Sequence, residues 1–204
     1  MTHRSLDPES LSKRSRYHLV TSLVVPRPIG WISTWSADGT PNLAPFSYFT
    51  ALSAEPMLVG VSIGHRASGP KDTLVNLRDR GAFCVNLVDV AHLEAMNQTS
   101  ADVAPEVDEF ELAGLSPASS HTVDAPYVAT VPAVLECTVT QEVDLGGAPN
   151  TLVIGEVVGL LLGEDLPFVE GTNAVDTHAL RPVGRLWGKA YAMPGDIRIL
   201  PRPS

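Results

Sequence analysis

The chain has 204 residues, of which 44% are hydrophobic and 18% are charged, and its formal net charge is −9. This composition is typical of an ordered globular protein, and the length suits a single domain with a substantial core. An acidic surface repels nucleic acid and anionic membranes, so we expect neither as a partner. The low charge content leaves much apolar surface to cover, which favours an oligomer.

The sequence also predicts where the protein works. No apolar run follows Met1, so no secretory signal is expected, and the apolar stretch 157–162 is too short to cross a bilayer. We therefore predict a cytoplasmic protein, in which Cys84 and Cys137 are buried free thiols. The cysteines and histidines show no metal-ligand spacing, so no metal site is predicted.

The N-terminal part of the chain predicts a lead-in followed by β-structure. Residues 1–18 are expected to be extended or partly helical, and residues 19–25 form a β-rich run. The prolines at 26–28 confine that point to a sheet edge or a bend, so the first barrel strand should begin near Ile29.

A hairpin and a third strand are predicted next. Asp38-Gly39 is a hairpin turn signal, so residues 29–36 should pair antiparallel with residues 42–47. A third strand is expected over residues 57–64, and a helix over residues 71–80.

The predicted helix over 71–80 has recognisable ends. Asp72 is expected to cap its first turn, with Thr73 as the alternative, and Gly81 to end it. The start of such a helix attracts anions, because its backbone N–H groups and the positive end of its dipole meet there. Arg66 and Lys71 in the preceding loop add positive charge.

A strand over 82–88 and a second helix around 92–96 should follow, and then a long connection over residues 101–130, acidic over 101–120. Its acidic side chains most simply make a solvated face, with a mobile cover over the site as the alternative. These residues are Asp102, Glu106, Asp108, Glu109 and Glu111.

The clearest hairpin of the sequence lies near its C-terminal end. Residues 135–143 alternate between apolar and polar side chains, with Glu136 on the solvated face, and the apolar run 152–162 returns after the turn at Gly146-Gly147. Many strands, short turns and two small helices predict an antiparallel β-barrel.

Six sequence blocks stand in a distinctive order and spacing: PRPIGWIST, NLAPFSYF, KDT, LECTV, IGEVV and RLWGKAY. Together they resemble the flavin reductase-like family of FMN-binding split barrels. The resemblance implies a mainly β protein with small helices, a six-stranded antiparallel split β-barrel of Greek-key type. It also implies a homodimer with FMN near the subunit interface, and one domain over 1–204 with a C-terminal extension over 178–204.

The resemblance places the flavin ring against the strand at 42–47. The residues predicted to line it are Asn42, Ala44, Pro45, Phe46 and Ser47. Proline lacks a backbone donor and leaves the strand ladder locally open, so neighbouring main-chain groups can face a ligand. The alternative is an ordinary edge strand whose aromatic side chains belong to the core.

The phosphate of FMN is predicted at the helix start. The residues assigned to it are Ser62, Arg66, Lys71, Asp72 and Thr73. The alternative is a plain capped surface helix, and only the co-occurrence of the upstream blocks favours the anion site.

Several other residues keep two interpretations. Trp31 either belongs to the core or stacks near the flavin, and Arg27 is either a surface charge or reaches the cofactor. His178 and Arg181 could meet a substrate or a partner subunit. Trp187 stands where the family usually has glycine, which weakens the case for close backbone approach at that point.

The family likeness implies an NAD(P)H:flavin oxidoreductase, in which hydride passes from NADH or NADPH to flavin N5. The electrons then go to an acceptor such as a monooxygenase partner. The protein's task is to stack two rings and stabilise charge, so no catalytic residue is named. The alternatives are a non-catalytic FMN carrier or redox sensor, and another FMN-dependent reductase or oxidase on the same barrel.

Overall fold

The computed structural model describes residues 1–200 and Pro203, and its regular structure is mostly β. The strands are β1 Arg27–Pro28, β2 Gly30–Trp35, β3 Pro41–Phe46, β4 Phe49–Ala54, β5 Met57–Gly64, β6 Ala82–Leu87, β7 Pro117–Ser119, β8 Pro126–Val128, β9 Ala133–Asp144, β10 Asn150–Leu162, β11 Gly184–Arg185 and β12 Tyr191–Ala192. The helices are α1 Lys13–Leu23, α2 Asp72–Arg80, α3 Leu93–Gln98, α4 Glu109–Leu112 and α5 Thr177–Leu180, with a 3₁₀ turn at Pro8–Ser10. The predicted fold class, mainly β with small helices, is confirmed.

The main sheet is antiparallel, in the order β3-β2-β6-β9-β10-β5-β4. Its two edge strands, β3 and β4, are separated along the chain only by Ser47 and Tyr48. Because edges at opposite ends of a sheet cannot be joined by two residues unless the sheet curls, this connection closes it into a barrel. The sheet has seven strands where six were predicted, and six if β3 and β4 are taken as one bent strand.

The predicted hairpins β2–β3 and β9–β10 are confirmed, with Gly39, Gly146 and Gly147 at positive φ in their turns. Strand β4, which pairs with β5, was not predicted. Most of its side chains are exposed, so its sequence lacks the apolar alternation that marks a half-buried strand.

Two apolar clusters cover the two faces of β2, which explains why this strand is buried throughout its first five residues. Ile32 points into the barrel cluster, whereas Trp31 belongs to a cluster outside the barrel that includes Phe110 of α4. The Trp31 indole N–H donates to the hydroxyl of Thr99 at 2.8 Å. Trp31 is fully buried, so the core interpretation of this residue is the correct one.

The predicted β-rich run over 19–25 is wrong, because α1 extends to Leu23. Its start is capped by the Ser12 hydroxyl, which accepts from the N–H of Ser15 at 3.1 Å. At its C-terminal end, Arg27 Nη1 donates to the carbonyl oxygens of Thr21 and Val24 at 2.6 and 2.7 Å. A buried cation on the last carbonyls stabilises the helix and overrides the β propensity of the sequence.

The expectation that Glu136 faces solvent is also wrong. Its side chain is only 1% exposed, and its carboxylate accepts from the backbone N–H of His121 at 2.6 Å. The pairing of β9 with β10 shifts register between Val157 and Gly159, which places Gly159 opposite Glu136. A β-bulge breaks the period-two alternation, and the absence of a Cβ at Gly159 leaves room for the carboxylate.

The two cysteines, Cys84 and Cys137, are buried and free, as predicted. Burial raises the pKa of Cys84 to about 12 and also raises the pKa of Cys137. Both thiols therefore stay protonated at neutral pH. Among residues 1–200 and 203, no helix combines the length and apolar character needed to cross a membrane.

Candidate functional site

Strand β3 forms one wall of the candidate site. It is an edge strand of the main sheet and pairs with β2. In this pairing Pro45 lies opposite Trp31. Pro45 has no N–H to donate, and Ala44 and Pro45 are partly exposed on this strand. This edge therefore presents main-chain groups and small apolar side chains to a neighbouring cavity.

Helix α2 begins beside β3, and Lys71 at its N-cap position makes no side-chain capping bond. The prediction that Asp72 caps this helix is wrong, because the Asp72 carboxylate accepts from Arg66 Nη1 at 2.8 Å instead. The Lys71 ammonium lies 5.5 Å from the centre of the Phe46 ring. An uncapped helix start with a cation at the cap position is suited to bind an anion. The predicted end at Gly81 is confirmed by its left-handed conformation, with φ of 65°.

Arg66 is held between two acidic residues. Besides its bond to Asp72, its Nε lies 2.8 Å from Oδ1 of Asp102, although this N–H is not aligned for a hydrogen bond. Burial acts to lower the pKa of Arg66, but the hydrogen bond and the charge of Asp72 outweigh it and the pKa is raised. The Asp102 side chain is 83% exposed, so this second pair is open to solvent.

A buried polar network joins β3 and α2 at the candidate site. Thr73 donates to the side-chain oxygen of Asn42 at 2.9 Å, and the Asn42 amide donates to both carboxylate oxygens of Glu109 at 3.0 Å. The N–H of Leu43 also donates to Glu109 at 3.0 Å. The hydroxyl proton of Thr73 is thus engaged within the protein, and the network ties β3 to α2 and α4.

Glu109 corrects another prediction. The acidic connection was expected to make a solvated face, but Glu109 is 5% exposed and bonds to β3. Its burial raises its pKa, opposed by the bonds from Leu43 and Asn42. The cause is its place in α4: Asp108 caps this helix, and neighbouring Phe110 is fully buried, which brings Glu109 inward.

Seven of the ten predicted cofactor-binding residues line one cavity of about 290 Å³. They are Asn42, Ala44, Pro45, Arg66, Lys71, Asp72 and Thr73. We call this the first cavity. Ser47 lines the second cavity, which adjoins it and has about 170 Å³, and Pro45 and Ser100 line both. Phe46 packs in the barrel core, and the N–H of Ser62 donates to the carbonyl of Tyr48. Phe46 and Ser62 line neither cavity, and the cofactor roles of all ten residues stay predictions.

Other lining residues were missed by the sequence reasoning. Thr99, Ser100 and Ala101 follow α3 and line the first cavity, and Tyr17 and Thr21 of α1 line the second. Small polar residues after a short helix carry no motif, so nothing in the sequence marked residues 99–101. The helical spacing of Tyr17 and Thr21 is the signal that could have been found.

Arg27, whose role was left open, is a buried anchor. It is 7% exposed, and besides the carbonyls of α1 it donates to Leu186 O at 3.1 Å and to the Ser47 hydroxyl at 3.4 Å. It therefore connects α1, the residue after β3 and the C-terminal segment around the second cavity. His178 and Arg181 lie apart from both cavities, at another surface pocket.

Trp187 does not fill the site. Its side chain is 50% exposed and meets the His18 ring edge-on, with 5.6 Å between ring centres. Gly188, the next residue, has φ of 65° and lines the second cavity instead. A glycine therefore lies one residue after the position at which the sequence put close backbone approach in doubt. No group of three or more potential metal ligands occurs in the described part of the chain.

The model of the flavin reductase like domain matches residues 22–172. This range contains the whole main sheet, α2 and every residue predicted to bind the cofactor. The chain belongs to the flavin reductase-like family. Membership supports a flavin cofactor and confirms the resemblance found in the sequence blocks.

Relatives and solved structures resemble the chain over nearly its full length. An uncharacterized protein of Halalkalibacterium halodurans is 41% identical, over 98% of this chain and 96% of its own. Nitrilotriacetate monooxygenase component B from Bacillus cereus has a TM-score of 0.93 at 32% identity, covering 98% of this chain and 100% of that one. The 2-nitrobenzoate 2-nitroreductase of Pseudomonas fluorescens has a TM-score of 0.89 at 30% identity, covering 98% and 96%.

The residues at the site are chemically suited to a flavin. A flavin needs an apolar wall with a few polar groups for its ring, and cations with N–H donors for its phosphate. The β3 edge with Ala44 and Pro45 provides the first, and the uncapped start of α2 with Lys71 provides the second. The two requirements are met by neighbouring parts of one cavity.

Proposed function

We propose that this protein is an FMN-binding oxidoreductase of the NAD(P)H:flavin reductase type. The observation that supports the proposal is the first cavity, which joins the start of α2 to the exposed edge of β3 at Pro45. A second cavity, also lined by Pro45 and Ser100, adjoins the first. A cofactor anchored in the first cavity would leave the second for a second reactant.

We favour FMN over FAD because the cavity has one anion-binding helix start. Three groups are available to the terminal phosphate of FMN: the N–H groups at the start of α2, Lys71 and Arg66. Arg66 must exchange an acidic partner to bind it. Asp102 lines the same cavity, and its carboxylate would repel a second phosphate placed beside the first. Titration of the flavin-free protein with FMN and with FAD tests this choice, and equal affinities would contradict it.

When bound, the flavin supplies the ring that takes up hydride from NADH or NADPH. The chain's own residues bind and orient: Lys71 holds the anionic end, β3 provides a rigid wall, and Arg27 fixes the elements around the second cavity. This matches a reaction whose rate depends on ring placement and charge stabilisation rather than on a protein acid or base.

The first experiment is the visible absorption spectrum of the purified protein, followed by anaerobic addition of NADH and then NADPH. A flavin spectrum that bleaches with either nucleotide is the expected result and identifies the donor. Bleaching with dithionite alone would contradict the reductase proposal and favour a flavin carrier. A colourless protein that takes up no FMN would contradict flavin binding itself.

We further propose that the electrons serve a partner enzyme, by analogy with the monooxygenase component of Bacillus cereus. The alternative acceptor is an organic nitro compound, by analogy with the nitroreductase of Pseudomonas fluorescens. NADH oxidation measured with added flavin alone, or with 2-nitrobenzoate, separates the two. Nitro-dependent turnover without free flavin would contradict the partner proposal.

We propose a homodimer, because apolar side chains are exposed on two elements. Tyr17, Val20 and Leu23 are between 48% and 76% exposed on α1, and Val158, Leu160 and Leu162 are between 37% and 50% exposed on β10. Such surface is costly to leave in water. Light scattering coupled to size exclusion should give twice the 21.7 kDa chain mass. A mass of one chain at micromolar concentration would contradict the dimer.

A further inference from the structure

A third cavity is an open groove of about 620 Å³ between α3 and the β11–β12 hairpin. Arg185 and Tyr191 line both this groove and the second cavity of the site, and Ser100 lines all three cavities. The groove is therefore continuous with the space beside Pro45. A molecule that reacts there can extend part of its structure into the groove.

Arg185 is held in this groove by its own hairpin. Its guanidinium carbon lies 4.6 Å from the centre of the Tyr191 ring, and Nη2 donates to the carbonyl of Gly188. The Tyr191 hydroxyl in turn donates to Asn97 of α3 at 2.8 Å. A guanidinium stacked on a fixed aromatic ring loses little entropy when it binds a ligand.

The remaining donors of Arg185 are open to a ligand. A guanidinium has five N–H groups, and within residues 1–200 and 203 Arg185 has no acidic partner within 4.0 Å. Its strand neighbour Arg27 differs, because its Nη groups donate to backbone carbonyls and its Nε donates to the Ser47 hydroxyl. Arg185 is therefore the arginine of this pair that can bind an external anion.

The groove carries local positive charge on an acidic protein. Lys189, in the turn between β11 and β12, lines it together with Arg185, and Glu94 of α3 is the acidic residue on its wall. Two cations and one carboxylate leave a net positive lining, whereas the whole chain carries −9. Anions that the rest of the surface repels are attracted to this groove.

We propose that Arg185 and Lys189 form a subsite for the anionic group of the second reactant, the molecule that meets the flavin in the second cavity. The guanidinium fork would bind a pair of phosphate or carboxylate oxygens. The anionic group is either the pyrophosphate of a nicotinamide dinucleotide or the carboxylate of an aromatic acceptor. The proposal rests on the proposed function and deepens it.

The test uses the FMN-saturated protein and two unreactive ligands, NAD⁺ and benzoate, with binding measured by calorimetry. Arg185→Met removes the charge but keeps an apolar chain on the Tyr191 ring. Lys189→Met changes an exposed turn residue, so we expect the stability to stay nearly unchanged. Arg78→Met is the control: it removes the same charge from α2, where Arg78 pairs with Glu142 away from the groove.

We expect Arg185→Met to lower the affinity for one of the two ligands about tenfold or more. Lys189→Met should lower the affinity for the same ligand about threefold. Weaker NAD⁺ binding assigns the subsite to the donor, and weaker benzoate binding assigns it to the acceptor. Glu94→Gln should strengthen that ligand about twofold, because it removes the opposing charge. FMN affinity should stay within about twofold in every variant.

Either of two results overturns the proposal. If both ligands bind the Arg185 and Lys189 variants as tightly as the wild type, or fail to bind the wild type, the groove holds no anion. If FMN affinity falls as much as ligand affinity in Arg185→Met, the residue belongs to the flavin site. Failure of the proposed function is distinguishable: a wild-type flavin that neither NADH nor NADPH bleaches would contradict reductase activity, even where Arg185 controls ligand binding.

Discussion

The two arginines at opposite ends of the site are used differently. Arg66, at the α2 end, is held by Asp72 and by the exposed Asp102, whereas Arg185, at the β11 end, rests on an aromatic ring with no acidic partner in the described residues. An arginine already paired with acids must exchange a partner to bind phosphate, which reduces the affinity it can contribute. Net attraction at the α2 end therefore depends on Lys71 and the helix start.

The largest effect is expected from the network beneath the α2 end. Glu109→Ala leaves the Asn42 amide and the Leu43 N–H without their acceptor in a buried place, which should lower the free energy of unfolding by about 2–4 kcal/mol. FMN affinity should fall with it. Urea unfolding measures the loss, and the exposed neighbour Glu111→Ala should change stability by less than about 0.5 kcal/mol. Equal losses in both would show that the network adds no stability.

The next effect separates Lys71 from the fold. Lys71→Ala removes the cation at the α2 start while the Thr73 network remains, so FMN should bind about tenfold more weakly at nearly unchanged stability. Fluorescence titration gives the affinity, and Arg78→Ala serves as the control. FMN affinity equal to that of the wild type would remove Lys71 from the phosphate site.

A smaller effect, an increase in FMN affinity, is expected when Arg66 loses one acidic partner. Asp102→Asn removes the exposed carboxylate that pairs with Arg66, so a phosphate no longer competes with it and FMN affinity should rise about threefold. Asp124→Asn is the matched control, because Asp124 is also an exposed partner of an arginine, Arg80. Weaker FMN binding in Asp102→Asn would mean that this residue orders the cleft instead of competing with the ligand.

The smallest effect concerns pH. Burial raises the pKa of Glu109 above its value in the unfolded chain, about 4.3 for a glutamate, so between the two values the native state binds more protons than the unfolded state. The free energy of unfolding therefore falls as pH rises through this range and is level above it. Glu109→Gln should remove that part of the slope in urea titrations from about pH 4 upward. An unchanged slope would contradict the raised pKa.

Much of the barrel could be predicted from local signals. The β2–β3 and β9–β10 hairpins follow from Asp38-Gly39 and Gly146-Gly147, because glycine adopts the positive φ that a tight turn requires. The start of α2 beside Lys71 and Arg66 was predicted from its helical pattern, and the anion bound there stays a prediction. Seven predicted residues do meet in one cavity, since β3 and α2 are neighbours in space.

What failed were positions whose environment is set by one specific partner, whether that partner is near in the chain or far from it. α1 replaced a predicted β-rich run because Arg27 satisfies its last carbonyls, and Glu136 turned inward because of a bulge opposite Gly159. Glu109 lies 67 positions from Asn42 in the chain, yet they bond directly. A period in the sequence reports the average face of an element, and no local pattern encodes such partners.

The sequence by itself determined the family, the mainly β class, the two hairpins and the helix start that would hold a phosphate, because turn residues, periodicity and helix ends act over a few positions. The tertiary structure alone decided which charges are available to a ligand. Arg66 is paired and Arg185 is open, although both are arginines beside glycine-containing turns. Coulomb attraction and burial depend on distance in space, and the fold brings Asp102 to one arginine and Tyr191 to the other.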